Sequence, residues 1–143
     1  MIHSTDAVRD FLASRGCDEA TVDRGLEGLL ADWEALTSEV ADSGYVLSLS
    51  AYLGEMDGRE LLEGALQALD AGTRTRVRPR LGLADNRMLE ATVPCGTCLW
   101  GDDIATDHHW DQVRQWWYFR VPKDYSLEFE GDLEAAGIEL LAE

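Results

Sequence analysis

The stretch Asp18-Glu-Ala-Thr-Val-Asp-Arg-Gly-Leu-Glu-Gly-Leu-Leu-Ala-Asp-Trp-Glu-Ala-Leu-Thr-Ser-Glu-Val40 decides the fold class. Its apolar residues Val22, Leu26, Leu29, Leu30, Trp33, Leu36 and Val40 recur at three- and four-residue intervals, one stripe along a helix of about five turns. Ser43-Gly44 supplies the stop. Gly25 and Gly28 interrupt the stripe at roughly 1 kcal/mol each against alanine, so each either admits a close neighbour or marks a weaker first turn.

Upstream, Ser4 or Thr5 can cap a short helix carrying Ala7, Val8, Phe11 and Leu12 on one face, and Gly16 suits its end. Downstream, Tyr45, Leu47 and Leu49 alternate as an extended piece does, and Ser50–Met56 reads as a short helix. Asp57-Gly-Arg-Glu60 has the reciprocal spacing that opens a helix. Leu61, Leu62, Ala65, Leu66 and Leu69 would form its buried face, and Ala71-Gly72 its end. In Thr73–Arg80 arginine alternates with Thr, Val or Pro, which in a strand puts Arg74, Arg76, Arg78 and Arg80 on one face. A helical period through Val77, Leu81, Ala84, Met88 and Ala91 competes, and it predicts a helix from about Pro79 to Thr92, weakened by Gly82 and stopped by Pro94.

After Pro94 the character changes. Trp116–Val121 is the best strand candidate by composition, Leu127 and Phe129 suggest a further short strand, and Asp132–Ala136 can make a last helical turn before Gly137. The expected fold is α+β, a mainly helical N-terminal two thirds packed on a small antiparallel β C-terminal segment. A chain of 143 residues with 45% hydrophobic composition fits a single domain over residues 1–143. At that length folding hides roughly 68–70% of the unfolded surface, enough for a core without disulfide or metal staples.

Twenty-eight acids against 12 bases leave a formal charge of −16, which makes nucleic acid and anionic membranes poor partners. The first ten residues lack the basic and apolar regions of a secretory signal, and no apolar run has transmembrane length. Cys17, Cys95 and Cys98 are too few for a disulfide framework. These features predict a soluble cytoplasmic protein and leave the oligomeric state open.

The charge is uneven. Residues 71–100 hold five arginines against two acids, whereas the segments on either side are strongly negative. Arg74, Arg76, Arg78 and Arg80 are expected to pair with carboxylates of neighbouring helices; the alternative is an anion-binding module for a phosphorylated or carboxylated small molecule, with no glycine-rich cradle to support it. The remaining acidic surface suits a basic protein partner. In size and charge the chain resembles bacterial immunity or antitoxin proteins, a resemblance that implies a non-enzymatic inhibitor of a basic effector. On the predicted strand, Trp116, Tyr118 and Arg120 share the side open to a partner, while Trp117, Phe119 and Val121 share the core side.

Cys95 and Cys98 are separated by two residues, a spacing used by zinc sites and dithiol redox centres, and His108 and His109 follow. With Asp107 or Asp111 as a fourth ligand or support, these residues define the alternative function, a small zinc protein or metal-dependent enzyme. The bland alternative makes the cysteines small apolar residues and the histidines loop residues. Asp102, Asp103, Asp107, His108, His109 and Asp111 also contain the groups of an acid–base hydrolase, although no catalytic motif frames them. The balance leans towards a non-enzymatic protein.

Overall fold

Helix α2, Glu19–Ser43, is the hub, packing on α1, Ser4–Ser14, on α3, Leu49–Gln67, and on α4, Ala71–Glu90. The computed structural model describes residues 4–141, and the side chains of the expected caps Ser4 and Thr5 lie outside what is described. The α2 stripe buries Leu30, Trp33, Leu36 and Val40 as its spacing requires, and the Asp18 carboxylate caps the helix by accepting from the Thr21 amide at 2.8 Å. The two glycines divide the alternatives between them. Gly25, at φ 60° and ψ −151°, breaks α2 near the end of its second turn, whereas Gly28 lies under the Arg24 side chain, 2.5 Å from where its own Cβ would stand.

Helix α3 corrects the reading of two separate elements. Ser48 caps it through the Ala51 amide, and it runs unbroken through Asp57–Glu60, which opens nothing. Tyr52, Leu53, Met56, Arg59, Leu62, Ala65 and Leu66 form its inner face. The stripe is continuous, but an arginine occupies its middle position. Likewise α4 starts eight residues before Pro79, because the Asp70 carboxylate accepts from the Thr73 amide at 2.8 Å. Pro79 therefore sits inside the helix rather than in its first turn.

The small antiparallel sheet pairs β1, Thr92–Pro94, with β2, Arg120–Pro122, aligning Val93 with Val121. Of the expected strand Trp116–Val121 only the end is extended; Trp116–Phe119 is a single 3₁₀ turn. A strand sends alternate side chains to opposite faces, whereas this turn buries the consecutive rings of Trp117, Tyr118 and Phe119. Asp102–His108 forms a short helix, α5, so His108 closes a helix rather than standing in a loop. Leu127 and Phe129 belong to helix α6, Leu127–Ala136, capped by Ser126 and ended by Gly137. The fold is thus α+β and mostly helical, and its buried residues form one cluster from Val8 to Leu133.

A polar knot lies inside this core. Arg59, 2% exposed, donates from Nε and Nη2 to the two Asp85 carboxylate oxygens at 3.1 and 2.9 Å, and the same carboxylate accepts from Trp33 Nε1 at 2.9 Å. The guanidinium stacks over Trp117 at 4.3 Å from the ring centroid. One ion pair thereby ties α2, α3 and α4 to the aromatic turn.

Candidate functional site

The arginine segment lies on α4, where alternate residues point about 200° apart, so its four guanidinium groups do not share a face. Arg74 donates to the Leu66 and Leu69 carbonyls at 3.0 and 2.9 Å, closing the end of α3. Arg76 reaches Thr73 Oγ1, and Arg78 bonds Glu63 at 3.2 Å. Arg80 is held most firmly: it spans Glu27, at 2.7 and 2.8 Å, and Glu34, at 2.6 and 3.0 Å. Its hydrogen bonds hold both carboxyls below the usual carboxylate range.

Cys95 and Cys98 are buried free thiols, and the Cys95 Sγ–H donates to the Thr97 carbonyl at 3.3 Å. Burial pushes the Cys95 thiol up to about 11 and raises Cys98 as well. His108 and His109 are exposed at the end of α5; His108 stacks on Trp110 at 4.6 Å, and His109 takes the left-handed conformation that ends the helix. Among the described residues no group of three or more His, Cys, Asp or Glu side chains is arranged to hold a metal. The hydrolase carboxylates are scattered too. Asp102 accepts from the Cys98 amide, Asp111 from the Val113 and Arg114 amides, and Asp103 and Asp107 are exposed on α5.

The expected exposed group Trp116, Tyr118 and Arg120 is corrected, because the strand that would display it is replaced by the 3₁₀ turn. Trp116 is half-buried, edge-on to Trp33 at 6.3 Å. Tyr118 is buried and donates its hydroxyl to Asp57 Oδ1 at 2.6 Å. Arg120 donates to Thr92 Oγ1, the Thr92 carbonyl and the Leu89 carbonyl, fastening β2 to the end of α4.

What the molecule presents instead is a groove between α2 and α3, about 180 Å³ in volume. Leu29, Trp33 and Leu36 line it from α2; Gly54 and Gly58 line it from α3, and a Cβ at either glycine would meet no heavy atom within 4 Å. The glycines keep the α3 wall low; of the apolar floor Leu29 is half-buried, whereas Trp33 and Leu36 belong to the core. Asp32 and Glu55 line the same groove. Partial desolvation raises the Glu55 carboxyl above its usual range, and the charges of Glu39 and Asp32 raise it further. Glu39 and Glu55 also act on the Tyr45 hydroxyl, which burial first and these charges second push up to about 12. Arg24 pairs with Asp32 at 2.8 Å, and among the described residues no ion pair reaches Glu39 or Glu55. Arg59 lines the groove at its inner end, held by Asp85, so acidic side chains at the mouth, Asp32 and Glu55, stand over a buried guanidinium.

Beyond Tyr45 lies an exposed apolar patch of Val46, Leu47 and Leu127, which are 63%, 54% and 85% exposed. The Ser126 amide donates to the Tyr45 carbonyl at 3.0 Å and the Ser126 hydroxyl to the Leu47 carbonyl at 3.3 Å, so the two chain segments are fastened side by side. Tyr45, Tyr52 and Phe129 pack edge to face in the core next to them at 5.1 to 5.9 Å. None of these surface residues was singled out as a site from sequence, since Asp32, Glu39 and Glu55 meet only when two helices pack. In comparisons with known proteins, no family model, no curated protein and no solved structure matches the chain.

Proposed function

We propose that the protein is a non-enzymatic binding module that engages a basic protein partner through the α2–α3 groove. The observation that carries this reading is that Asp32 and Glu55 line the mouth of the groove beside Leu29, where partial burial first and the charges of Glu39 and Asp32 second raise the Glu55 carboxyl. A lysine or arginine of a partner entering the groove relieves that repulsion, and complementary charge of this kind steers association and rejects wrong partners. Leu29 supplies apolar contact at the groove, and Val46, Leu47 and Leu127 offer exposed apolar area elsewhere on the surface. An inhibitor of a basic effector, as immunity and antitoxin proteins are, is one form such a module takes. The three free thiols support placing it in a reducing compartment such as the cytoplasm.

Capture from lysate, with the bound proteins identified by mass spectrometry, tests the reading when wild type is run beside Glu55→Arg and, as a control on α5, Asp103→Arg. The expected result is one basic protein retained by wild type and the control, released by salt, and bound at least tenfold more weakly by Glu55→Arg. Equal retention by all three proteins, or no basic protein at all, rejects it.

A further inference from the structure

Helix α2 bends where two glycines act together. Gly25 stands at φ 60° and ψ −151°, torsions that glycine adopts freely and an L side chain rarely does, although a Cβ there would meet no heavy atom within 4 Å. Gly28 contributes space. Its own Cβ would stand 2.5 Å from the Arg24 Cβ, an atom fixed by the backbone that cannot turn aside. Across the bend Arg24 donates to both Asp32 carboxylate oxygens, at 3.1 and 2.8 Å, and to the Gly28 carbonyl at 3.3 Å. Both side chains of this ion pair are more than half exposed, so the clasp is a weak one.

The residues before the bend form one body. The Cys17 amide donates to the Leu12 carbonyl at 3.2 Å and the Gly16 amide to the Ala13 carbonyl at 3.0 Å, closing α1 onto the start of α2, which Asp18 caps. The hold of this arm, residues 4–24, on the rest of the chain centres on Val8 and Leu12, both buried, and on the Phe11 ring, which lies directly on the α3 backbone at Gly64. Clefts flank it on both sides. One, about 280 Å³ in volume, lies between Val8 and Leu69 and reaches Gly25 itself; the other, about 290 Å³, lies between Phe11 and Tyr118. They keep α1 off the corner after α3 and off the aromatic turn, so that it packs on α2 and α3.

We propose that residues 4–24 are a displaceable arm that swings as one body about Gly25 and uncovers the apolar seat of Val8, Leu12 and Phe11. A straight α2 is the competing state. Helical torsions at residue 25 would continue the helix and turn the arm away from Gly64, because the bend is what directs the chain onto α3. Closing the arm requires the glycine torsions, the space at Gly28 and the apolar contacts together. Opening it breaks an exposed ion pair and one packed face bordered by open space, the pattern of an element that opens below the global unfolding free energy. The device stands apart from the protein-binding reading, since nothing in it requires a partner.

Native-state hydrogen exchange of the whole protein, resolved by two-dimensional NMR over urea concentrations below the unfolding transition, reads the arm directly. The expected result is one common opening for the slowest amides of residues 4–24, at least tenfold faster than for residues 26–43, with a step at residue 25 and a weaker urea dependence than global unfolding. Gly25→Ala should speed exchange in the arm at least a further tenfold and leave the later turns of α2 unchanged, the reverse of the stabilisation that alanine gives in an unbent helix. Gly28→Ala should act the same way, and Gly82→Ala on α4, where a Cβ meets nothing, should leave the arm unmoved. The wild-type profile needs no variant to fold. Protection that rises gradually from residue 4 without a step marks simple fraying and overturns the proposal. So does a single rate for arm and body, or an arm as well protected in Gly25→Ala as in wild type.

Discussion

Replacing Asp85 with alanine isolates the buried knot and gives the sharpest test of what holds the helices together. The substitution strips Arg59, 2% exposed, of its two short hydrogen bonds and leaves Trp33 Nε1 without an acceptor. The nearest remaining anion, Glu63, is 3.7 Å from Arg59 Nη1, too far for a hydrogen bond. Breaking a buried ion pair from one side costs about 3–5 kcal/mol, because the surviving charge stays desolvated. At about 2–4 °C per kcal/mol for a chain of this size, the melting temperature should fall by roughly 6–20 °C. The double variant Arg59→Met, Asp85→Leu removes both charges and fills the space with apolar atoms. It should recover all but about 1–3 kcal/mol, the penalty for the unpaired Trp33 indole. Urea unfolding followed by circular dichroism of wild type, both singles and the double completes the cycle. A loss below about 0.5 kcal/mol in Asp85→Ala, within the range of an ordinary surface change, would refute the reasoning. So would a double variant less stable than the sum of the singles.

Three further outcomes follow from the same geometry. Glu55→Gln should stabilise the unbound protein at pH 7; because the folded-state pKa of Glu55 is raised, wild type recovers the difference as pH falls through that value, so the gain should shrink in acid melts and vanish below the unfolded carboxylate pKa. Arg80→Gln should act with the opposite sign. Glu27 and Glu34 have lowered folded-state pKa values, so the stability they owe to Arg80 is present above the unfolded pKa and lost as pH falls through the folded values, and its loss should be largest in low-salt melts. Among the thiols, Cys17 is only partly buried and should react first with iodoacetamide, with Cys95 and Cys98 modified only as the protein unfolds, as mass spectrometry of timed samples will show.

The legible parts of the sequence are those where chemistry and periodicity agree. The α2 stripe and the Gly44 stop stand in the structure, as does the helical end at Gly137. The continuity of α3 was hidden because Arg59 fills a core position that the apolar pattern leaves blank, and Asp57 and Glu60 imitate a cap that the unbroken helix does not need. The early start of α4 was hidden because Asp70–Gly72 looks as much like an ending as a beginning, and Asp70 in fact caps the next helix. Strand propensity failed at Trp116–Phe119, because a preference for pleated surfaces reflects burial, and here a tight turn buries the rings more completely. Neither the groove nor the clefts beside α1 could be read along the chain, since each joins side chains from elements that meet only after packing.

The polar contacts of the indoles also set what spectroscopy can observe. Trp33, Trp116 and Trp117 contact one another around Arg59, while Trp100 bonds Asp57 and Trp110 stacks on Tyr118, which bonds the same carboxylate. All five emitters therefore watch one corner of the molecule. Fluorescence will register a loosening of the aromatic turn long before fraying of α6, and a disagreement between emission and far-ultraviolet dichroism would mark where cooperativity breaks.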